Sequence, residues 1–154
     1  MKNQSDFIIS EHRLFPIVKE VLAEGKRVRL TVSGNSMWPL IIHNRDSVLL
    51  VPCEKKNLTK GEIILFHAGY GHYMLHRITS VKAGGYITTG DGNLHRDGFI
   101  NSEEVIAKVK KIYRKDKIIN CSKGYWKLTF RIWMIMFPIR GLLQKLILCI
   151  RKHG

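Results

Sequence analysis

A chain of 154 residues has the length of one domain, which excludes a two-domain cofactor enzyme, and 45% hydrophobic residues with 4 prolines supply a sizeable core rather than disorder throughout. Charge is uneven: 26 Lys and Arg against 12 Asp and Glu give +14, and +12 of this falls between Val105 and the C-terminus, where Asp116 is the single acid. The three cysteines, Cys53, Cys121 and Cys149, are far apart and form no CxxC pair, which argues against a disulfide framework. Ile8 and Ile9 run straight into Ser10, Glu11, His12 and Arg13, leaving no apolar segment of ~7 to 15 residues, so the start of the chain reads as soluble rather than as a secretory signal.

In chain order, Leu14, Ile17, Val18, Val21 and Leu22 recur at helical spacing, with Glu11, Lys19, Glu20 and Glu24 on the other face and Gly25 as the stop. They predict an amphipathic helix over 11–24. Short β-rich runs follow at Val28 to Val32, Ser47 to Val51, Glu62 to Phe66, Tyr73 to Val81, Tyr86 to Thr89 and Val105 to Tyr113. Turn signals separate them at Gly34-Asn35, Asn44-Arg45-Asp46, Gly69-Tyr70-Gly71, Gly84-Gly85 and Asp91-Gly92. Such spacing predicts a largely antiparallel β domain, because repeated βαβ units need long helical crossovers.

The last region, 125–150, is apolar but interrupted by Lys127, Arg131, Arg140, Gln144 and Lys145. Its longest stretch without a polar residue, Ile132 to Ile139, is far short of the ~20 residues that span a bilayer. Pro138 and Gly141 divide it into two helices, one carrying Trp126, Phe130, Trp133 and Phe137, the other Leu142, Leu143, Leu146, Ile147 and Ile150. Cations beside Trp and Phe suit the headgroup boundary of an anionic membrane, so 125–152 is expected to lie on such a surface; packing on the β domain is the alternative. Nucleic acid fits less well, since the cations alternate with Ile, Leu and Met rather than with polar contact residues. Three segments result: 1–26, an N-terminal helix; 27–115, the β domain; and 116–154, the basic and apolar helices.

Three places carry candidate chemistry. Ser33-Gly34-Asn35-Ser36-Met37-Trp38-Pro39 has the composition of a tight turn after a strand, able to present the Ser36 hydroxyl. Gly34 would let a substrate carbonyl approach the main chain, and the Ser36 N–H could donate to a developing oxyanion. His76 shares a strand face with Met74 and Ile78 and is the candidate base, an imidazole able to take a proton near neutral pH. Asp91, in Gly90-Asp91-Gly92-Asn93, is the candidate for orienting it. Each also fits a plainer reading: a loop, a structural strand histidine, a hairpin turn.

Taken together and in order, Gly34-Asn35-Ser36-Met37-Trp38-Pro39, Asp46-Ser47-Val48-Leu49-Leu50-Val51, Lys60-Gly61-Glu62-Ile63-Ile64-Leu65-Phe66, His76-Arg77-Ile78 and Gly90-Asp91-Gly92-Asn93 resemble the signal peptidase I family and its self-cleaving repressor relatives, over about residues 28 to 113. The resemblance implies a mainly β, signal-peptidase/repressor-peptidase-like fold for 27–115 and a serine endopeptidase activity that cleaves a leader or signal peptide at or near a membrane. Ser36 matches the serine that precedes Met in the family motif. His76 stands where most bacterial members and the repressors carry a lysine followed by Arg, and looks like the histidine of the archaeal, endoplasmic-reticulum and sporulation-type enzymes. Asp91 falls on the assisting aspartate of the Gly-Asp box. The chain departs from the pattern at Gly34, where many signal peptidases have an oxyanion-hole serine, at Glu62, where the family has Asp, and in carrying its apolar basic segment C-terminally rather than an N-terminal anchor.

The resulting expectation is a peptidase associated peripherally or monotopically with a prokaryotic membrane, acting on a peptide or protein substrate without a cofactor. A cytosolic self-cleaving regulator of the same fold and a non-catalytic membrane-binding module are the alternatives. His67, His72 and His76 lie close in sequence, but on a strand and a Gly-rich loop they do not converge, so no metal is expected. Oligomeric state is left open by the sequence.

Overall fold

The N-terminal periodicity is realised as helix α1 (Glu11–Ala23). Its end is a Schellman turn: Lys26 N–H donates to the Val21 carbonyl, Gly25 N–H to that of Leu22, and Gly25 takes φ 77°, which glycine adopts without a Cβ penalty. The computed structural model describes residues 11–153, so the first ten residues of the 1–26 segment lie outside the described part.

Eight antiparallel strands form one open sheet, which together with three helices makes the protein mainly β. The strands are β1 (Val28–Thr31), β2 (Asp46–Val51), β3 (Ile63–His67), β4 (Tyr73–Lys82), β5 (Gly85–Thr89), β6 (Phe99–Asn101), β7 (Val105–Arg114) and β8 (Lys117–Asn120). Their order is β1-β2-β7-β3-β4-β5-β6, with β8 paired to β7 beyond the end of β3. Six of these strands were expected from the sequence. β6 and β8, of 3 and 4 residues, were not.

Both faces of the sheet are covered. Along β3, Ile63 and Leu65 enter one apolar cluster with Val18, Leu22, Met37, Ile41 and Phe130, while Ile64 and Phe66 enter a second with Ile78, Tyr86, Ile100 and Val105. Successive strand residues point to opposite faces, so four consecutive buried residues require two layers. Each such side chain contributes about 1.5–3 kcal/mol through its removal from water.

The C-terminal segment forms α2 (Gly124–Ile135), a 3₁₀ turn (Phe137–Ile139) and α3 (Arg140–His153). Phe130 and Trp133 are buried and Trp126 packs against the first cluster, so this aromatic stripe faces the sheet. Leu128, Ile132 and Ile135 form a second apolar stripe on α2 at the same spacing but exposed, and Leu142, Leu146 and Ile150 do the same on α3. The segment therefore packs on the domain with one face and leaves apolar surface on another. Among the described residues, no helix is long and apolar enough to cross a membrane.

Candidate active site

β4 carries the first functional group. Its register, Ile64↔His76 on one side and Arg77↔Thr89 on the other, fixes His76 deep in the sheet with 3% of its surface exposed. The carboxylate on its ring is Asp97, whose Oδ2 lies 2.6 Å from Nδ1 and also accepts the Thr88 hydroxyl at 2.6 Å. Asp97 N–H donates to the Thr88 carbonyl at 2.9 Å, which anchors the loop that delivers it. A carboxylate on Nδ1 holds that nitrogen as the proton donor and leaves Nε2 as the acceptor. Nε2 makes no hydrogen bond, and no unbonded side-chain nitrogen or oxygen is sealed from water among the described residues, so Nε2 reaches solvent.

Asp91, expected to orient the imidazole, does something else. Its two oxygens accept from Arg77 Nε at 2.8 Å and Arg77 Nη2 at 2.6 Å, in a pair whose side chains are each 1% exposed. The reason is strand alternation: His76 and Arg77 are neighbours on β4 and project to opposite faces, so a carboxylate that forks onto Arg77 is on the wrong side for His76. Arg77 also donates to the Gly61 carbonyl at 2.9 Å and lies 4.4 Å from the centre of the Phe130 ring. Sequence reasoning missed Asp97, 21 residues beyond His76, although it stands in an Asp-Gly pair, Asp97-Gly98, of the same kind as Asp91-Gly92.

The Ser36 turn lies against the loop that follows β5. The Ser36 carbonyl accepts from Gly92 N–H at 2.7 Å. A Cβ on Gly90 would sit 2.4 Å from that same carbonyl oxygen, and one on Gly92 would sit 2.9 Å from the carbonyls of Asn35 and Trp38. Glycine at both positions is thus a condition for seating the turn, in addition to any hairpin role. Met37, 2% exposed in the first apolar cluster, anchors the turn from below.

Within the turn, Gly34 has φ 86° and donates its N–H to His43 Nδ1 at 2.9 Å, so it is not a free oxyanion donor. A Cβ there would meet nothing within 4 Å, so the main chain at Gly34 faces open space. The Ser36 N–H is donated to no described group. The Ser36 hydroxyl likewise makes no hydrogen bond, to His76 or to any other described residue, and being unbonded it is accessible to water.

The C-terminal helices reach this site from behind. Three consecutive carbonyls of the loop, those of Gly90, Asp91 and Gly92, accept from Arg140 Nη1 (3.5 Å), Trp133 Nε1 (3.0 Å) and Gln144 Nε2 (2.9 Å). Arg140 is 1% exposed; burial lowers its pKa and the Arg77 charge adds to this, while Asp91 opposes it. No group of three His, Cys, Asp or Glu side chains among the described residues is placed to hold a metal ion. The Cys121 thiol, which faces α2 beside Arg77, is pushed up to about 11 by burial and is no thiolate nucleophile at neutral pH. No family model matches the chain, and no curated protein sequence matches it.

Proposed function

We propose that the protein is a serine endopeptidase of signal-peptidase-like fold that cleaves a leader or signal peptide at the surface of an anionic membrane. The observation that carries this reading is the His76–Asp97 pair, with Nε2 making no hydrogen bond, on the strand next to the loop that seats Ser36. In the reaction, Ser36 Oγ attacks the scissile carbonyl while His76 Nε2 takes its proton. The oxyanion of the tetrahedral intermediate accepts from the Ser36 N–H. Collapse of the intermediate expels the amine, which takes the proton from Nε2, and water then hydrolyses the acyl-enzyme by the same exchange. Asp97 stabilises the imidazolium. β1, at the end of the sheet and leading into the Ser36 turn, offers the edge to which an extended substrate adds.

The exposed stripes of α2 and α3, with Lys127, Arg131 and Lys145 and no acid after Asp116, support the membrane surface as the place of action. A fluorophosphonate probe tests the chemistry. Covalent labelling mapped to Ser36, lost in Ser36→Ala and in His76→Ala, is the expected result; labelling that survives either substitution contradicts the assignment. The absence of a Ser36–His76 hydrogen bond favours a second reading, a non-catalytic membrane-binding module of the same fold. That reading predicts an unlabelled protein that still floats with anionic vesicles.

A further inference from the structure

A cleft of about 640 Å³ opens between the sheet and α2, on the Arg77 side of β4 and therefore away from His76. Phe130 and Met134 line its apolar wall. Lys60, from the loop before β3, and Lys127 and Arg131, from α2, also line it, and none of the three has an ion-pair partner among the described residues. The carboxylate in the wall, Glu62, is already engaged by Lys108 at 2.9 Å and by Thr59 N–H at 2.7 Å. Three cations from two different elements line, without an ion-pair partner among the described residues, a cleft whose remaining wall mixes apolar side chains with Thr59, Ser122 and the already paired Glu62.

We infer that this cleft takes the headgroup of an anionic phospholipid, whose acyl chains run out along the exposed stripe of α2. A phosphodiester supplies the missing negative charge, and guanidinium and ammonium groups bind it by charge-assisted hydrogen bonds. The apolar part of the ligand is assigned from continuity: Ile135 lines the cleft and is 77% exposed at the end of the Leu128, Ile132, Ile135 stripe. A free phosphate would gain nothing from that surface, whereas a lipid buries it. The inference rests on the membrane part of the proposed function and not on its chemistry.

Titration calorimetry of the full chain with dihexanoylphosphatidylglycerol, kept below its critical micelle concentration, tests the site. Saturable one-to-one binding is expected, weakened about fivefold or more by Lys60→Ala and by Arg131→Ala. Lys19→Ala, on α1 outside the cleft, is expected to leave it unchanged. No saturable binding, an equal loss in Lys19→Ala, or equal binding of inorganic phosphate each overturns the lipid site, the last by identifying a free anion as the ligand. Thermal melts confirm that the variants fold, and because Lys60 and Arg131 stand on different elements, each checks the other. Fluorophosphonate labelling of Ser36 in the same samples reports separately on the peptidase: lipid binding without labelling defeats the peptidase alone, labelling without lipid binding defeats the cleft alone.

Discussion

Trp133, on a helix near the end of the chain, hands its indole N–H to the main-chain carbonyl of Asp91 at 3.0 Å. With Arg140 and Gln144 on the adjoining carbonyls, the loop whose Gly92 N–H holds Ser36 is itself held by the C-terminal helices. Trp133→Phe keeps an aromatic side chain but replaces the indole with a smaller ring and removes the N–H donor, leaving a buried carbonyl unpaired at a cost of about 1–3 kcal/mol beyond the lost packing. A lower melting temperature is expected, together with slower probe labelling of Ser36. Lowered stability with unchanged labelling would mean that the contact holds the helix rather than the site.

The two aspartates separate by substitution. Asp97→Asn deprives the imidazole of its charged partner and should slow labelling or turnover by about 10²–10⁴-fold with little change in melting temperature, since Asp97 is partly solvated. Asp91→Asn breaks a buried ion pair and should cost about 3–5 kcal/mol. Chemical denaturation and labelling rates, measured side by side, check the contrast. A reversed pattern would return the orienting role to Asp91.

Gly90→Ala places a methyl group 2.4 Å from the Ser36 carbonyl oxygen, a distance that main-chain atoms do not tolerate. The turn must lift off the loop. Loss of Ser36 labelling is expected with the sheet intact by far-ultraviolet circular dichroism, because Gly90 lies beyond the end of β5.

Asp46 contributes to stability in a pH-dependent way. Burial pushes its carboxyl up, but hydrogen bonds from Arg45, Arg114 and the Ile42 N–H outweigh this and hold the pKa below the ordinary 3.8. A carboxyl with a lower pKa folded than unfolded contributes stability that is present above the unfolded value and is lost as pH falls through the folded one. Asp46→Asn should therefore lower the melting temperature at neutral pH, and the gap to the parent should close in acid. A gap that is constant across the range would assign the effect to packing.

Much of the fold is legible in the sequence. Leu14, Val18 and Leu22 announce α1, and the apolar runs Val48 to Val51 and Ile63 to Phe66 announce β2 and β3. The candidate site is legible up to the level of segments: the Ser36 turn seats on the Gly90–Gly92 loop, while His76 pairs with Asp97 and makes no hydrogen bond to Ser36. The carboxylate partner of His76 is not, because a hydrogen bond between a strand and a distant loop leaves no periodic trace, and the two Asp-Gly pairs, Asp91-Gly92 and Asp97-Gly98, look alike in sequence. α2 illustrates the same limit. Trp126, Phe130 and Trp133 and Leu128, Ile132 and Ile135 are two apolar stripes at one spacing, and spacing alone does not say which one meets the sheet.

β7 pairs with β2 along one edge and with β3 and then β8 along the other, so it alone joins the β1–β2 half of the described sheet to the β3–β6 half. During synthesis the first six strands emerge as two disconnected pieces with open edges, and they become one cooperative unit only when residues 105–114 leave the ribosome. Loop-closure entropy is then met late and over long sequence separations, which makes for slow folding. A nascent chain stalled before Val105 would be a target for chaperones and proteases.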